Sequence, residues 1–170
     1  MKVTLYMAMS ANNMIARENG DEDFLSHENW ITFTNLAESF GCFIIGRKTY
    51  DVVKKWEDYN FDDIKSKKII VTKNTKFKAP KGYTSVKSPA DGIEKAGQFG
   101  FKNVLLTGGA QINSAFMKAG LVDEVILNIE PTIIGKGISL FSEDNFESKL
   151  SLVNIKKLVQ IVQLHYKVLK

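Results

Sequence analysis

The stretch VLLTGGAQINSAF, residues 104–116, joins an apolar run, two glycines and a helical pattern. The adjacent glycines at 108 and 109 allow positive φ angles and let other groups approach the backbone closely. Apolar residues then recur at helical spacing, at Ala110, Ile112, Ala115, Phe116 and Ala119. The first N–H groups of such a helix lack backbone acceptors and stabilise anions.

Two interpretations of this glycine turn stay open at the level of the residues. It is either a plain tight turn or a loop whose backbone N–H groups bind phosphate. The segment GGAQIN matches neither G-x-G-x-x-G nor a Walker A loop with its Lys and Ser/Thr. The phosphate interpretation therefore depends on what the rest of the chain places beside the turn.

Strand and helix patterns alternate along the chain. Strands are predicted over residues 3–10, 42–45, 68–72, 83–86, 103–107 and 122–129. Helices are predicted to begin after Ser26, Gly46, Ser88 and Gly109, and residues 11–23 form a long loop. The last segment predicts an antiparallel hairpin that turns near Lys156 and Lys157. Residues 1–170 are thus expected to form one α/β domain, with a mixed, mainly parallel sheet and helices on both faces.

The composition excludes several classes of protein. With 44% hydrophobic and 25% charged residues, the chain matches an ordinary folded domain. The net charge of +4 comes from scattered lysines, which predicts no nucleic-acid partner but suits a phosphorylated ligand. Cys42 is the single cysteine and there are two histidines, so neither a disulfide framework nor a metal site is expected. The N-terminal apolar run is too short for a signal peptide and no segment reaches membrane-spanning length, which predicts a cytoplasmic protein.

Three predicted strands end in residues that suit an anionic ligand. The first is followed by Gly46-Arg47-Lys48-Thr49, the second by Lys73-Asn74 and the third by Gly108-Gly109. In parallel sheets ligands bind beyond the carboxyl ends of strands. A guanidinium binds phosphate through two hydrogen bonds, a lysine adds charge, and a glycine turn exposes backbone N–H groups. Together these segments predict a phosphate-rich dinucleotide.

The same segments resemble the dihydrofolate reductase superfamily, and more closely its branch with the reductase domain of bifunctional riboflavin-biosynthesis deaminase-reductases. The resemblance rests on LYMAMSANNMIA, FIIGRKTYD, IIVTKN, LLTGGAQINSAF and LVDEVILNIEPTIIGKGISLF, in that order. It implies a dihydrofolate reductase-like fold, NADPH as cofactor, and hydride transfer to a nitrogen heterocycle.

The resemblance also assigns cofactor-binding residues by position. They are Ala8, Ile15 and Ala16 beside the nicotinamide; Gly46, Arg47, Lys48 and Thr49 at the phosphates; Thr72 and Lys73 at the adenosine end; and Thr107, Gly108, Gly109, Ala110, Gln111 and Ile112 around the pyrophosphate. Members of the family commonly have a cis peptide between such glycines.

A catalytic acid is harder to place. Hydride transfer leaves charge on the substrate nitrogen, so a carboxylic acid of raised pKa or an ordered water must supply a proton. The resemblance places an acid on the helix after the substrate loop, where Glu28 is the first candidate and Asp23 the second. A structural role for Glu28 at the helix start is the alternative. His27 and His165 are expected to be structural.

The substrate stays open at this stage. The riboflavin branch usually has Asp-Gly after its first serine and an acid before the two glycines, whereas this chain has Asn12-Asn13 and Thr107. The leading hypothesis is an NADPH-dependent reductase of a pyrimidine such as 5-amino-6-(5-phosphoribosylamino)uracil. The alternatives are a dihydrofolate or other pterin reductase, and a non-catalytic NADP-binding module. Two apolar segments, residues 122–129 and 158–164, are expected either to be buried or to form a homodimer.

Overall fold

A mixed eight-stranded sheet forms the centre of the computed structural model, which describes residues 1–170. Its strands are β1 (Lys2–Ser10), β3 (Cys42–Gly46), β4 (Lys67–Val71), β5 (Tyr83–Val86), β6 (Asn103–Leu106), β7 (Glu124–Glu130), β9 (Lys149–Leu158) and β10 (Ile161–Leu169). They lie in the order β5-β4-β3-β6-β1-β7-β10-β9. The first six are parallel, and the last two are antiparallel to their neighbours.

Helices cover both faces of this sheet. They are α1 (His27–Phe40), α2 (Arg47–Val53), α3 (Pro89–Gln98) and α4 (Ala110–Lys118), and a short 3-10 helix spans Phe61–Asp63. Alternate residues of β3 enter opposite cores: Ile44 packs with α3 and α4, whereas Phe43 and Ile45 pack with α1 and α2. A strand buried on both faces explains its unbroken apolar run. The predicted fold class is confirmed.

Two local features differ from the sequence prediction. The predicted loop over residues 11–23 contains β2 (Met14–Arg17), which pairs with β8 (Gly137–Ser139) in a separate two-stranded sheet. The terminal hairpin turns at Val159 and Gln160, not at Lys156 and Lys157, which lie inside β9. β9 is an edge strand whose side chains are almost all exposed, so lysines fit there at little cost.

None of the helices is long and apolar enough to cross a lipid bilayer. Cys42 is fully buried and unpaired, and burial raises the pKa of its thiol to about 12.

Candidate active site

A cavity of about 1300 Å³ opens where β1, β3, β4 and β6 end. It is lined by Ala8 at the end of β1, Gly46 at the end of β3, Val71 at the end of β4 and Thr107 just after β6. Every residue predicted to bind the cofactor lines this cavity except Gly108. The topology of the sheet thus brings together segments that are far apart in the sequence.

Gly108 is buried and serves the turn itself. Its φ is +79°, and a Cβ atom there would lie 2.7 Å from Met7 Sδ. Its carbonyl accepts a hydrogen bond of 2.7 Å from Gly46 N, which ties the turn to the start of α2. The peptide bond between Gly108 and Gly109 is cis. Packing and backbone conformation therefore account for this glycine without a ligand.

Gly109 faces the cavity and leaves room for a ligand. A Cβ atom there would lie 3.1 Å from Thr49 Oγ1, which also lines the cavity. The hydrogen-bond ladder of α4 begins when Ile112 N and Asn113 N donate to Gly109 O, so the N–H groups of Ala110 and Gln111 are not used by the helix. These unused donors, beside a hydroxyl and an absent side chain, fit the pyrophosphate of a dinucleotide.

Cationic side chains line the same part of the cavity. Arg47 and Lys48 open α2, Lys73 follows β4, and Lys87 follows β5. Arg47 forms an ion pair with Asp51 one turn later, but a guanidinium carries five N–H groups and retains donors for phosphate. The sequence prediction missed Lys87, although its position after β5 repeats that of Lys73 after β4.

An apolar surface lies beside the glycine turn, where Ile15 Cδ1 is 3.9 Å from the position of a Cβ atom on Gly109. Ala8, Ile15 and Ala16 line it and are all buried. The pairing of β2 with β8 fixes the last two, since Ala16 lies opposite Ile138. Small apolar side chains of this kind leave space for a planar ring to lie against the sheet.

A buried polar network that joins the start of α1 to β1 and β7 was not predicted. It consists of Tyr6, Asn29, Asn128 and Glu130. Tyr6 Oη donates to Asn29 O (3.2 Å) and accepts from Asn128 Nδ2 (3.0 Å), which also donates to Asn29 Oδ1 (2.7 Å). Glu130 Oε1 accepts from Asn29 Nδ2 and from Ser26 N (2.6 Å). Burial, followed by the charge of Glu130, raises the pKa of Tyr6, which keeps its hydroxyl protonated.

The three consecutive acids of residues 21–23, before α1, differ in their surroundings. Asp23 lines the cavity but is paired with Arg17, whose hydrogen bond lowers its pKa. Glu22 also lines the cavity, and burial, with a smaller effect of Asp21, raises its pKa to about 8. Glu22, which the sequence prediction passed over, is therefore the carboxyl group that retains a proton at neutral pH.

The remaining predicted acid and the two histidines lie elsewhere. Glu28 is in the first turn of α1 and does not line the cavity. His27 Nδ1 lies 3.1 Å from Tyr59 Oη, and His165 Nε2 lies 3.1 Å from Glu124 Oε2. Neither histidine lines the cavity.

Aromatic side chains form one wall of the cavity beside α1. This aromatic wall consists of Trp30, Phe33, Trp56, Tyr59 and Phe61. The ring centroids of Trp30 and Tyr59 are 5.1 Å apart, and those of Trp30 and Phe61 are 6.1 Å apart. The wall gives a planar ligand a surface on which to stack.

Comparison with known proteins gives related sequences and folds. YwjB of Bacillus subtilis strain 168, an uncharacterized protein, is 31% identical to this chain over 170 residues, which cover 97% of each. The crystal structure of a pyrimidine reductase-like protein from Corynebacterium diphtheriae superposes with a TM-score of 0.81 at 14% identity, over 99% of this chain and 92% of the other.

A longer solved protein shares the fold over part of its length. It is a diaminohydroxyphosphoribosylaminopyrimidine deaminase/5-amino-6-(5-phosphoribosylamino)uracil reductase from Thermotoga maritima, with a TM-score of 0.76 at 16% identity. The match covers 99% of this chain and 56% of that one. A model of the RibD C-terminal domain family matches residues 1–164, and the chain belongs to this family.

Proposed function

We propose that this protein is an NADPH-dependent reductase that transfers hydride to a pyrimidine-type nitrogen heterocycle. The observation that carries the proposal is the cavity itself, where phosphate-binding groups and an apolar surface lie in one space of about 1300 Å³. Pockets for a single small ligand usually measure about 300–1000 Å³. The volume suits a dinucleotide together with a second ring.

The cofactor end supports NADPH in particular. Gly109 and the start of α4 would hold the pyrophosphate, with Thr49 opposite. Thr72 and Lys73 would hold the adenosine end, where a cation favours the additional phosphate of NADPH over the hydroxyl of NADH.

The apolar surface and the aromatic wall supply the surroundings that hydride transfer requires. The reduced nicotinamide supplies the hydride. Ala8, Ile15 and Ala16 exclude water from the ring face, and the aromatic wall orients the planar substrate. Glu22 holds a proton at its carboxyl group at neutral pH and would donate it to the substrate nitrogen.

Family membership supports the pyrimidine class of substrate. The Thermotoga maritima relative is named for the reduction of 5-amino-6-(5-phosphoribosylamino)uracil, which makes this compound the first to assay. The pterin reductase alternative depended on Glu28 facing the site, and Glu28 does not line the cavity. The non-catalytic alternative depended on a lack of acids there, and Glu22 lines it.

The proposal is tested by thermal-shift titration with NADPH and NADH on the wild type, Arg47→Ala and Lys73→Ala. A ligand at a hundredfold excess over its Kd stabilises the native state by about 2.7 kcal/mol. We expect a shift with NADPH that is reduced in Arg47→Ala, and a loss of preference over NADH in Lys73→Ala. Oxidation of NADPH that depends on the aminouracil then tests catalysis. A wild type that shifts with neither cofactor would contradict the proposal.

A further inference from the structure

Charge differs between the two ends of the cavity, although one acid, Glu143, lines it next to Ser142, whose N–H donates to Ala110 O. The four cations of the cavity, Arg47, Lys48, Lys73 and Lys87, lie at the start of α2 or just after β4 and β5. These strands and β3 form the side of the sheet away from β7. Two acidic segments line the other end, Asp21-Glu22-Asp23 before α1 and Glu57-Asp58 after α2. We call these five residues the acidic mouth.

Aromatic contacts bring the two acidic segments to the same place. Tyr59, next to Asp58, contacts the first turns of α1 through Trp30, with ring centroids 5.1 Å apart, and through its hydroxyl, 3.1 Å from His27 Nδ1. The segment 21–23 lies just before the same helix. A Cβ atom on Gly20, just before the first segment, would lie 3.6 Å from Val52 Cγ2 of α2, the helix before the second. The acidic mouth therefore lies beside the aromatic wall.

No cation lines this end of the cavity. Arg17, the cation bonded to the acidic mouth, is paired with Asp23 and does not line the cavity. The start of α1 would otherwise attract an anion, but the Glu130 carboxylate already accepts from Ser26 N. Ser26 Oγ is buried without a hydrogen-bond partner, on a residue that lines the cavity. This end thus offers a stacking surface, a free hydroxyl and the negative charge of Asp21, Glu57 and Asp58, since Glu22 keeps its proton and Asp23 is paired with Arg17.

We propose that the substrate is a flat amino-substituted heterocycle without a phosphate group, held by the aromatic wall and by hydrogen bonds from its N–H groups to the acidic mouth. The inference rests on the proposed function. It differs from what the name of the Thermotoga maritima protein suggests, since that protein is named for a phosphorylated substrate. Like charges placed together at a binding interface repel each other, so a phosphate at this mouth is rejected rather than merely unrecognised.

The experiment compares one pair of ligands by isothermal titration calorimetry, with and without saturating NADP⁺. The ligands are 5-amino-6-(5-phosphoribosylamino)uracil and the same compound without its phosphate, both kept under anaerobic conditions. We expect the compound without phosphate to bind about tenfold more tightly or better. Glu57→Lys should reduce the difference in affinity between the two compounds. Glu147→Lys, the same change at an exposed acid outside the cavity, should leave it unchanged.

The outcomes separate this inference from the proposed function. If NADP⁺ binds and the phosphorylated compound binds as tightly as its partner or more tightly, the inference is wrong and the reductase proposal stands. If neither compound binds, or if Glu57→Lys leaves the difference unchanged, the acidic mouth does not select the substrate. If the preference is present but NADP⁺ does not bind, the inference stands and the reductase proposal fails.

Discussion

The two glycines of the turn illustrate how adjacent, identical residues meet separate requirements. Gly108 has a positive φ and lies against Met7, so any side chain there meets the core. Gly109 has an extended backbone conformation, and a Cβ atom there would meet only Thr49 Oγ1 and the end of Ile15. Substitutions at the two positions should therefore affect different properties.

We expect Gly108→Ala to lower the free energy of unfolding by about 1–3 kcal/mol, because it combines backbone strain with a clash. Gly109→Ala should fold but bind NADPH about tenfold more weakly. The added methyl group narrows the space beside Thr49 and weakens a hydrogen bond between the backbone N–H groups and the charged pyrophosphate. Urea denaturation and cofactor titration measure the two effects. Gly135→Ala is the control, since a Cβ atom there would contact nothing within 4 Å. If both variants lose cofactor binding equally and neither loses stability, the two glycines do not have separate roles.

Glu22 predicts a particular dependence of stability on pH. Its pKa is raised from an ordinary 4.5 to about 8, so the folded protein holds this proton more tightly than the unfolded chain does. Ionisation of Glu22 then opposes folding, and its contribution to stability falls as pH rises from about 4.5 to about 8. Glu22→Gln lacks this ionisation. We expect the melting temperature of Glu22→Gln to rise relative to that of the wild type as the pH increases from about 4.5 to about 8. Above pH 8 the difference should stay constant.

The same group predicts the pH dependence of turnover. Above pH 8 Glu22 loses the proton that it would donate, so the rate of NADPH oxidation should fall. In Glu22→Gln the rate should be low at every pH. Glu18→Gln is the matched control in the same loop, because Glu18 is an exposed acid outside the cavity, and it should keep the wild-type rate. A wild-type rate in Glu22→Gln would assign proton transfer to another group or to water.

At the scale of the elements, Glu130 fastens the start of α1 to the end of β7. Its carboxylate accepts from Ser26 N and from Asn29 Nδ2 at the helix start. Ser26 occupies the N-cap position, but its own side chain does not cap the helix. Glu130, at the end of β7, therefore accepts hydrogen bonds at the start of the helix, the role that an N-cap side chain usually has.

Loss of this contact should destabilise the protein and loosen the substrate end. We expect Glu130→Ala to cost about 2–4 kcal/mol, because it leaves two buried donors without an acceptor that was charged. Glu130→Gln keeps an acceptor oxygen and should cost less. Chemical denaturation measures both against Glu147→Ala, an exposed acid whose loss should matter little. If the alanine and glutamine variants are equally stable, the hydrogen bonds at the helix start contribute nothing.

The sequence predicts these elements unevenly, for physical reasons. The proposed cofactor cradle follows apolar strands, and a parallel sheet places strand ends together, so the position of Arg47, Lys73 and Gly109 around one cavity could be predicted from local pattern. The role of Glu130 could not, because its partner Asn29 lies 101 positions away, although Glu130 itself lies in one of the segments that carry the resemblance. Glu22 was missed because burial, and not its neighbours in the chain, sets its pKa. β2 is four residues long and pairs with a strand of three, too short a signal for periodicity to detect.

At the scale of the whole molecule, the two edges of the sheet differ. One edge strand, β5, has four residues, whereas β9, at the other edge, has ten and is exposed along almost its whole length. The predicted apolar segment 122–129 is not available at the surface, because β7 lies between β1 and β10. The exposed apolar surface is instead on the terminal hairpin.

One face of that hairpin carries the apolar side chains. In register, Leu150 lies opposite Val168, Leu152 opposite Tyr166 and Ile155 opposite Leu164, so these side chains share a face. Leu152 and Ile155 are 53% and 57% exposed. The other face carries polar residues, including Asn154 opposite His165. Long exposed edge strands with apolar faces are usually covered, and a second copy of the chain is the partner that the sequence prediction proposed.

We therefore expect the protein to form a homodimer through the apolar face of β9. Leu152→Asp should shift it to a monomer in sedimentation velocity experiments, because burial of a carboxylate at an apolar interface is strongly unfavourable. Asn154→Asp places the same group on the opposite face of the strand and should leave the dimer intact. Both residues are exposed in the single chain, so neither change should unfold it, and circular dichroism checks this. A monomeric wild type at micromolar concentration would show that the exposed face has another role, and a dimer that survives Leu152→Asp would place the interface elsewhere.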